Sequence, residues 1–189
     1  MKKIFYIYIM SKLFVVASPS ASGKTTLVDY VSKEHNLYKL KTCTTRPIRK
    51  GETGDEYYFL NKPCFEFKMA NGEFIEQSEV YGNYYGVLRT EIEKTKNRNC
   101  IIILDVQGKE IVENEFDIIS IFIKPPDKDV VLERLNSRNT NKEDVKARIE
   151  EFYTELEHLS LYKHVIEYGE LKYMENQMEC IIRDELMST

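Results

Sequence analysis

Ser18-Pro19-Ser20-Ala21-Ser22-Gly23-Lys24-Thr25-Thr26 sets small residues and one glycine ahead of a lysine and two hydroxyls, a residue set suited to gripping phosphate. Backbone N–H groups of such a loop, together with the positive end of a following helix, can surround one phosphate, and the Lys24 ammonium can bridge the β- and γ-phosphates of ATP. The Thr25 hydroxyl can hold Mg²⁺, which shields charge that develops when a phosphoryl group moves. A Gly-Lys-Ser/Thr triplet alone arises by chance in about a tenth of chains this long, so context decides. An apolar run, Leu13 to Ala17, precedes the loop, and a helical pattern from Lys24 to Lys33 follows it, the strand-before, helix-after setting that a phosphate loop needs. Ser18 stands where the usual pattern has glycine, and Ala21 also replaces a frequent glycine. A positive φ at Ser18 would carry strain of about 1–3 kcal/mol. The plain alternative is a helix start with an incidental lysine.

A second cluster lies at Thr42-Cys43-Thr44-Thr45-Arg46-Pro47-Ile48-Arg49-Lys50-Gly51-Glu52, followed by Gly54-Asp55-Glu56-Tyr57-Tyr58-Phe59. Arg46 and Arg49 can fork onto a phosphate dianion, and the phenols of Tyr57 and Tyr85 add neutral donors. The competing readings are a solvated basic turn for the arginines and strand packing for Tyr84 and Tyr85. Asp105, at the end of an apolar run, sits where P-loop enzymes place a second carboxylate near the metal, acting directly or through water. It also fits the N-cap of a helix beginning near Gln107.

Positioning these groups requires an α/β architecture. Leu13 to Ala17, Cys100 to Leu104 and Ile118 to Ile123 read as buried parallel strands, with helical segments between them. Thr42 to Gly86 has another texture, rich in Tyr, Gly and Glu with short alternating runs such as Tyr57 to Leu60, and reads as a small mixed-β insertion. After Pro125 and Pro126, Asp127 can cap a helix to about Arg138. Asn139 to Lys142 is a polar break, and a second helix follows with capping-box spacing at Thr140 and Glu143 and apolar residues at Val145, Ile149, Phe152, Leu156 and Leu159. The expected organisation is a flexible extension over 1–10 and one domain over 11–189. Within it, the core takes 11–41, 87–125 and 160–189, the acceptor-binding region 42–86 and a helical lid 126–159.

A chain of 189 residues suffices for one domain with a sizeable core, and a net charge of −4 gives no support to a general nucleic-acid or membrane binder. An anionic substrate must then be held by local cations. Cys43, Cys64, Cys100 and Cys180 show neither zinc nor redox spacing, so reduced thiols in a cytoplasmic protein are expected. Lys2, Lys3 and the apolar Ile4 to Met10 imitate a secretory leader, but cleavage near Ala17 would delete the strand feeding the loop; Met10 could itself be the start. His158 and His164 have no partners at catalytic spacing.

Adding Phe74-Ile75-Glu76, Tyr81-Gly82-Asn83-Tyr84-Tyr85-Gly86 and Asp105-Val106-Gln107-Gly108, the chain resembles the guanylate kinase family from about Leu13 to Ile182. The resemblance implies a P-loop kinase fold and Mg²⁺-dependent phosphorylation of GMP or dGMP by ATP, yielding GDP or dGDP, in a monomer or homodimer. It places ATP at Ser18 to Thr26 and GMP at Thr42, Arg46, Arg49, Tyr57, Glu76 and Tyr85. Glu76 would accept from guanine N1 and N2, and the Thr42 hydroxyl would reach the base edge. Adenine offers neither donor, which would leave the buried carboxylate unpaired. Arg138 and Arg148 match lid arginines that, with Lys24 and Arg49, would stabilise charge in transfer, Arg134 assisting.

Val87 stands where the family has Ser or Thr touching the base. Ile103 stands where it has an acid, and Tyr168-Gly169 where it has an Asn-Asp pair near the adenine. Two further readings therefore stand beside the first: the same chemistry on another acceptor, a modified deoxynucleotide or ribose bisphosphate, and a non-catalytic peptide-binding module of the same fold.

Overall fold

The computed structural model describes residues 11–19, 22–49, 51–80, 82–137 and 142–188, with backbone alone at 142–144, 147 and 151. Residues 1–10, read above as an extension, fall outside it, as do Ser20, Ala21, Arg138 and Thr140.

Strand β1 (Leu13–Ala17) is buried along its whole length at the centre of a five-stranded sheet. β2 is Tyr38–Lys39, β7 Cys100–Ile103, β8 Ile118–Ile123 and β9 His164–Ile166, in the order β2-β7-β1-β8-β9 with every pairing parallel. Side chains alternate across a strand, so a strand that feeds cores on both faces must be apolar throughout. Phe14 and Val16 pack with Leu27, Val28 and Val31 of α1 (Lys24–Glu34) and with Met174, Met178 and Ile182 of α7 (Leu171–Met187). Leu13 and Val15 pack the opposite way with Ile75, Val87, Ile92 and Val112. From β1 the chain builds β2 and β7 on one side, then β8 and β9 on the other. The crevice beyond the C-terminal end of β1 is therefore a topological switch point, where open α/β sheets bind ligands.

The second sheet has the order β4-β3-β6-β5, from β3 (Cys43–Thr44), β4 (Tyr58–Phe59), β5 (Phe74–Val80) and β6 (Asn83–Leu88). β3 pairs β4 in parallel, whereas β3–β6 and β5–β6 are antiparallel. Between Phe74 and Glu76 the β5–β6 register slips, Phe74 facing Leu88 and Glu76 facing Val87, so one extra residue bulges from β5. A bulge re-aims the side chain beside it.

This region also holds a helix that the mixed-β reading lacked, α2 (Lys62–Ala70), started by the Asn61 Oδ1 accepting from the Cys64 N–H at 2.9 Å. Its Phe65, Phe67 and Met69 alternate with Glu66 and Lys68 in strand fashion, but only Phe65 is buried. Phe67 is 67% exposed. Tertiary stacking decides: the Phe65 ring lies 4.4 Å from Phe74 and 5.4 Å from Tyr84. Gly86 is required beneath this stack, since a Cβ there would sit 2.9 Å from Phe74 and 3.1 Å from Phe65.

Four further helices follow: α3 (Arg89–Ile92), α4 (Val106–Glu113) and the pair α5 (Lys128–Ser137) with α6 (Lys142–Glu157). The pair has its own core of Val131, Leu135 and Phe152. No helix among the described residues is long and apolar enough to cross a membrane.

Candidate active site

Helix α1 begins without a side-chain cap. Its N-cap, Gly23, has φ 93 and ψ 12, and no acidic residue occupies the first turn. That left-handed backbone calls for glycine, and the uncapped N–H groups keep the positive helix end available to an anion. Asn36 is the one non-glycine residue with positive φ among the described residues, so Ser18 carries no such strain. Ser18 instead bonds side chain to side chain with Ser22, whose hydroxyl donates to the Pro19 carbonyl at 2.7 Å. The hydroxyls thus brace the loop locally. Lys24 Nζ donates to the carbonyls of Ser18 and, at 3.3 Å, Pro19.

One cleft of about 290 Å³ is lined by Ser18, Ser22, Gly23, Lys24, Thr25 and Thr26 from the loop side. Its far wall brings Thr42, Arg46, Arg49, Tyr57, Glu76 and Tyr85 from the second sheet and the segments joining its strands, and Asp105, the N-cap of α4, and Arg148 of α6 complete it. Every described residue of the sequence-derived site thus meets in this cleft except Pro19, which is buried. Arg138, Ser20 and Ala21 lie outside the described residues.

Arg46 is 6% exposed, and its fork is engaged by Glu52: Nη1 donates to Oε2 at 2.8 Å and Nη2 to Oε1 at 2.5 Å. The same carboxylate accepts the Arg49 N–H at 2.7 Å, so Glu52 holds both arginines in place. That hydrogen bonding, from Arg46 first, holds the Glu52 carboxyl below its usual range. Arg46 also stacks 5.0 Å above the Tyr57 ring, which meets Tyr85 edge-on at 6.3 Å. Arg49 is pushed down from its ordinary pKa by burial first, then by the Arg46 and Arg148 cations. Three guanidinium groups from two parts of the chain therefore face one space, a positive well that a phosphate dianion would relieve.

Glu76, at the bulge, is 4% exposed, and burial, then the Asp105 charge, pushes its carboxyl up to about 8. Among the described residues no donor reaches it. Gly108 of α4 passes so close that a Cβ there would stand 3.3 Å from Glu76 Oε2. Asp105 caps α4, its Oδ1 accepting the Gly108 N–H at 2.7 Å, while Oδ2 accepts from Ser78 at 3.2 Å. The capping role weighed for Asp105 is therefore present, and its carboxylate still borders the cleft.

Val87 stands directly opposite Glu76 in the β5–β6 register. It is fully buried with Leu13, Val15 and Ile75 and does not line the cleft. Ile103 does line it. Sequence reasoning missed Glu52 as the arginine clamp and Ser78 as the Asp105 partner. For Ser78 a signal existed, since a residue two after Glu76 on a strand shares its face.

Thr25 is exposed at the helix start, and with Asp105 it offers only oxygen donors to the cleft. No group of three His, Cys, Asp or Glu that could hold a metal occurs among the described residues. The oxygen donors of Thr25 and Asp105 suit Mg²⁺, which is commonly held by one or two protein oxygens with substrate phosphates and water.

A uncapped, glycine-started helix facing an arginine cluster across one crevice defines a P-loop phosphotransferase architecture. Residues 10–185 match the family described as Guanylate kinase. A guanylate kinase from Fusobacterium nucleatum is 36% identical over 180 residues, covering 93% of this chain and 97% of that protein. One from Aliivibrio fischeri is 36% identical over 186 residues, covering 93% and 90%. The crystal structure of guanylate kinase from Anaplasma phagocytophilum superposes with a TM-score of 0.72 at 30% identity, covering 95% of this chain and 88% of that one. The chain belongs to the guanylate kinase family.

Proposed function

We propose that this chain transfers the γ-phosphoryl group of ATP to GMP or dGMP, giving ADP and GDP or dGDP. The single observation that carries the reading is the shared cleft, with Lys24 and Thr25 on one wall and Arg46, Arg49, Tyr57 and Glu76 on the other. The β- and γ-phosphates lie against the loop and Lys24, and the acceptor phosphate lies between Arg49, Tyr57 and Tyr85, with Arg46 braced behind by Glu52. An acceptor oxygen attacks the γ-phosphorus as the bond to the bridging oxygen of ADP breaks. Arg49 and Arg148 offset charge on the transferring group, joined in the family pattern by Arg138. Mg²⁺, held by Thr25 and, directly or through water, Asp105, would supply charge neutralisation on the phosphates. Glu76 and Thr42 read the guanine edge. Work with small nucleotides, without nucleic acid or membrane, suits a cytoplasmic enzyme acting as a monomer or homodimer.

Ile103 favours a second reading, the same transfer to another acceptor, because it sets an apolar side chain in the cleft where the family has an acid. Lys24, Thr25 and Arg148 weigh against a peptide-binding module, which has no use for a phosphate cradle. A coupled ADP-release assay over a panel of nucleoside monophosphates and ribose bisphosphate tests all three. Turnover with GMP and dGMP above the rest is expected; turnover with another acceptor alone, or none, overturns the proposal.

A further inference from the structure

The chain passes from the core sheet to the second sheet at residues 40–43 and comes back through β6 and α3. Leu40 makes the last core-sheet bond, its N–H donating to the Ile101 carbonyl at 2.9 Å, and Cys43 opens β3. Between them the Lys41 N–H donates to Glu91 Oε1 at 3.1 Å. Glu91 belongs to α3, on the return crossing, and is only 3% exposed. Its Oε2 accepts the Tyr58 hydroxyl at 3.1 Å and the Lys94 ammonium at 2.7 Å. Lys94 in turn donates to the Tyr38 hydroxyl of β2 at 3.0 Å, and the Tyr38 ring lies 4.0 Å from the Arg98 guanidinium. A single buried carboxylate thus ties the outgoing crossing, the edge strand β4 and the return helix together.

Burying a charge is costly unless its oxygens are satisfied, and a clamp of this kind is rigid because each bond is needed. Its location gives it a use. Lys41 immediately precedes Thr42, and Tyr58 immediately follows Tyr57, both of which line the cleft. The Tyr58 N–H also donates to the Thr42 carbonyl at 3.0 Å. Neighbours on an extended chain point to opposite faces, so Glu91 holds these segments from behind while Thr42 and Tyr57 face the acceptor.

We propose that Glu91 is a positioning residue for the acceptor half of the site, its bonds to Lys41 and Tyr58 fixing where Thr42 and Tyr57 stand relative to the phosphate loop. The inference rests on the kinase reading above. It names no contact between Glu91 and substrate.

Steady-state kinetics of the full chain carrying Tyr58→Phe, Glu91→Gln or both test it, alongside thermal melts. Tyr58→Phe deletes one hydroxyl at a partly exposed site; Glu91→Gln keeps an oxygen for Lys41 but loses the charge facing Lys94. Each single change should raise KM for GMP about three- to tenfold and leave KM for ATP within about twofold. The double variant should cost less than the product of the singles, because both changes break one shared bond. Equal rises in both KM values, or an unchanged GMP KM in both single variants, overturn the proposal. Should Glu91→Gln fail to fold, Tyr58→Phe decides alone by the same criterion. An unmodified chain that turns over no monophosphate refutes the kinase reading instead, and calorimetric GMP affinities of the same variants then decide the positioning claim.

Discussion

Replacing Glu76 with glutamine keeps the side chain's length and removes its charge, and the expected result improves the fold while damaging the site. Burial and the neighbouring Asp105 raise this carboxyl from 4.5 to about 8, so the folded protein holds a proton there that the unfolded chain releases above about pH 4.5. A folded pKa raised in this way contributes stability that is complete below the unfolded value and is lost as pH rises through the folded one. At pH 7 the penalty relative to an uncharged side chain is on the order of 3 kcal/mol, enough to shift the melting temperature by several degrees. Glu76→Gln should therefore melt above the unmodified protein at pH 8, with the gap closing towards pH 5. Reading guanine needs the opposite protonation state, because only the carboxylate accepts from both N1–H and the 2-amino group. With a pKa of about 8 the empty site is roughly one-tenth ionised at pH 7 and half ionised at pH 8. GMP affinity should rise about fivefold over that unit, and binding at pH 7 should release close to one proton. Calorimetry in two buffers of different ionisation enthalpy measures the proton release, and a coupled assay measures turnover. Glu76→Gln should cut kcat/KM for GMP about 10²–10³-fold and abolish the proton release, since an amide offers one acceptor and turns a donor towards the 2-amino group. A GMP affinity that stays flat between pH 7 and 8, or a variant less stable at pH 8, would refute the reasoning.

Lys24→Ala should leave the fold intact and reduce turnover below detection, because the lysine's loop bonds are local whereas its charge faces the cleft; circular dichroism and the coupled assay separate the two. Val87→Thr places a hydroxyl in a side chain buried among Leu13, Val15 and Ile75. It should destabilise the protein by about 1–3 kcal/mol, read from denaturant unfolding.

The central strands were legible because a strand buried on both faces must be apolar along its length: Leu13 to Ala17 and Ile118 to Ile123 were bounded in the sequence as they stand in the structure. The helix after the loop was readable from its period, and Asp105 from its place at the end of an apolar run. Helix α2 was not legible, because Phe65, Phe67 and Met69 carry a strand's alternation and only stacking against Phe74 and Tyr84 selects the helix. The pairing of Glu76 with Val87 was equally hidden, since a one-residue bulge in β5 sets which residues stand opposite each other and leaves no mark in the composition.

By itself the sequence determined the chemical inventory and its order along the chain: a phosphate loop between a strand and a helix, an arginine pair, and a carboxylate far downstream. Tertiary structure alone decided that these meet in one cleft, that Glu52 engages the Arg46 fork, and that Glu76 stands buried beside Asp105 with no donor among the described residues. Local spacing encodes what a few neighbouring residues can do. Burial, charge proximity and the angle between two sheets depend on contacts between segments far apart in the chain, such as Lys41 and Glu91, whose meeting becomes visible only once the core has closed.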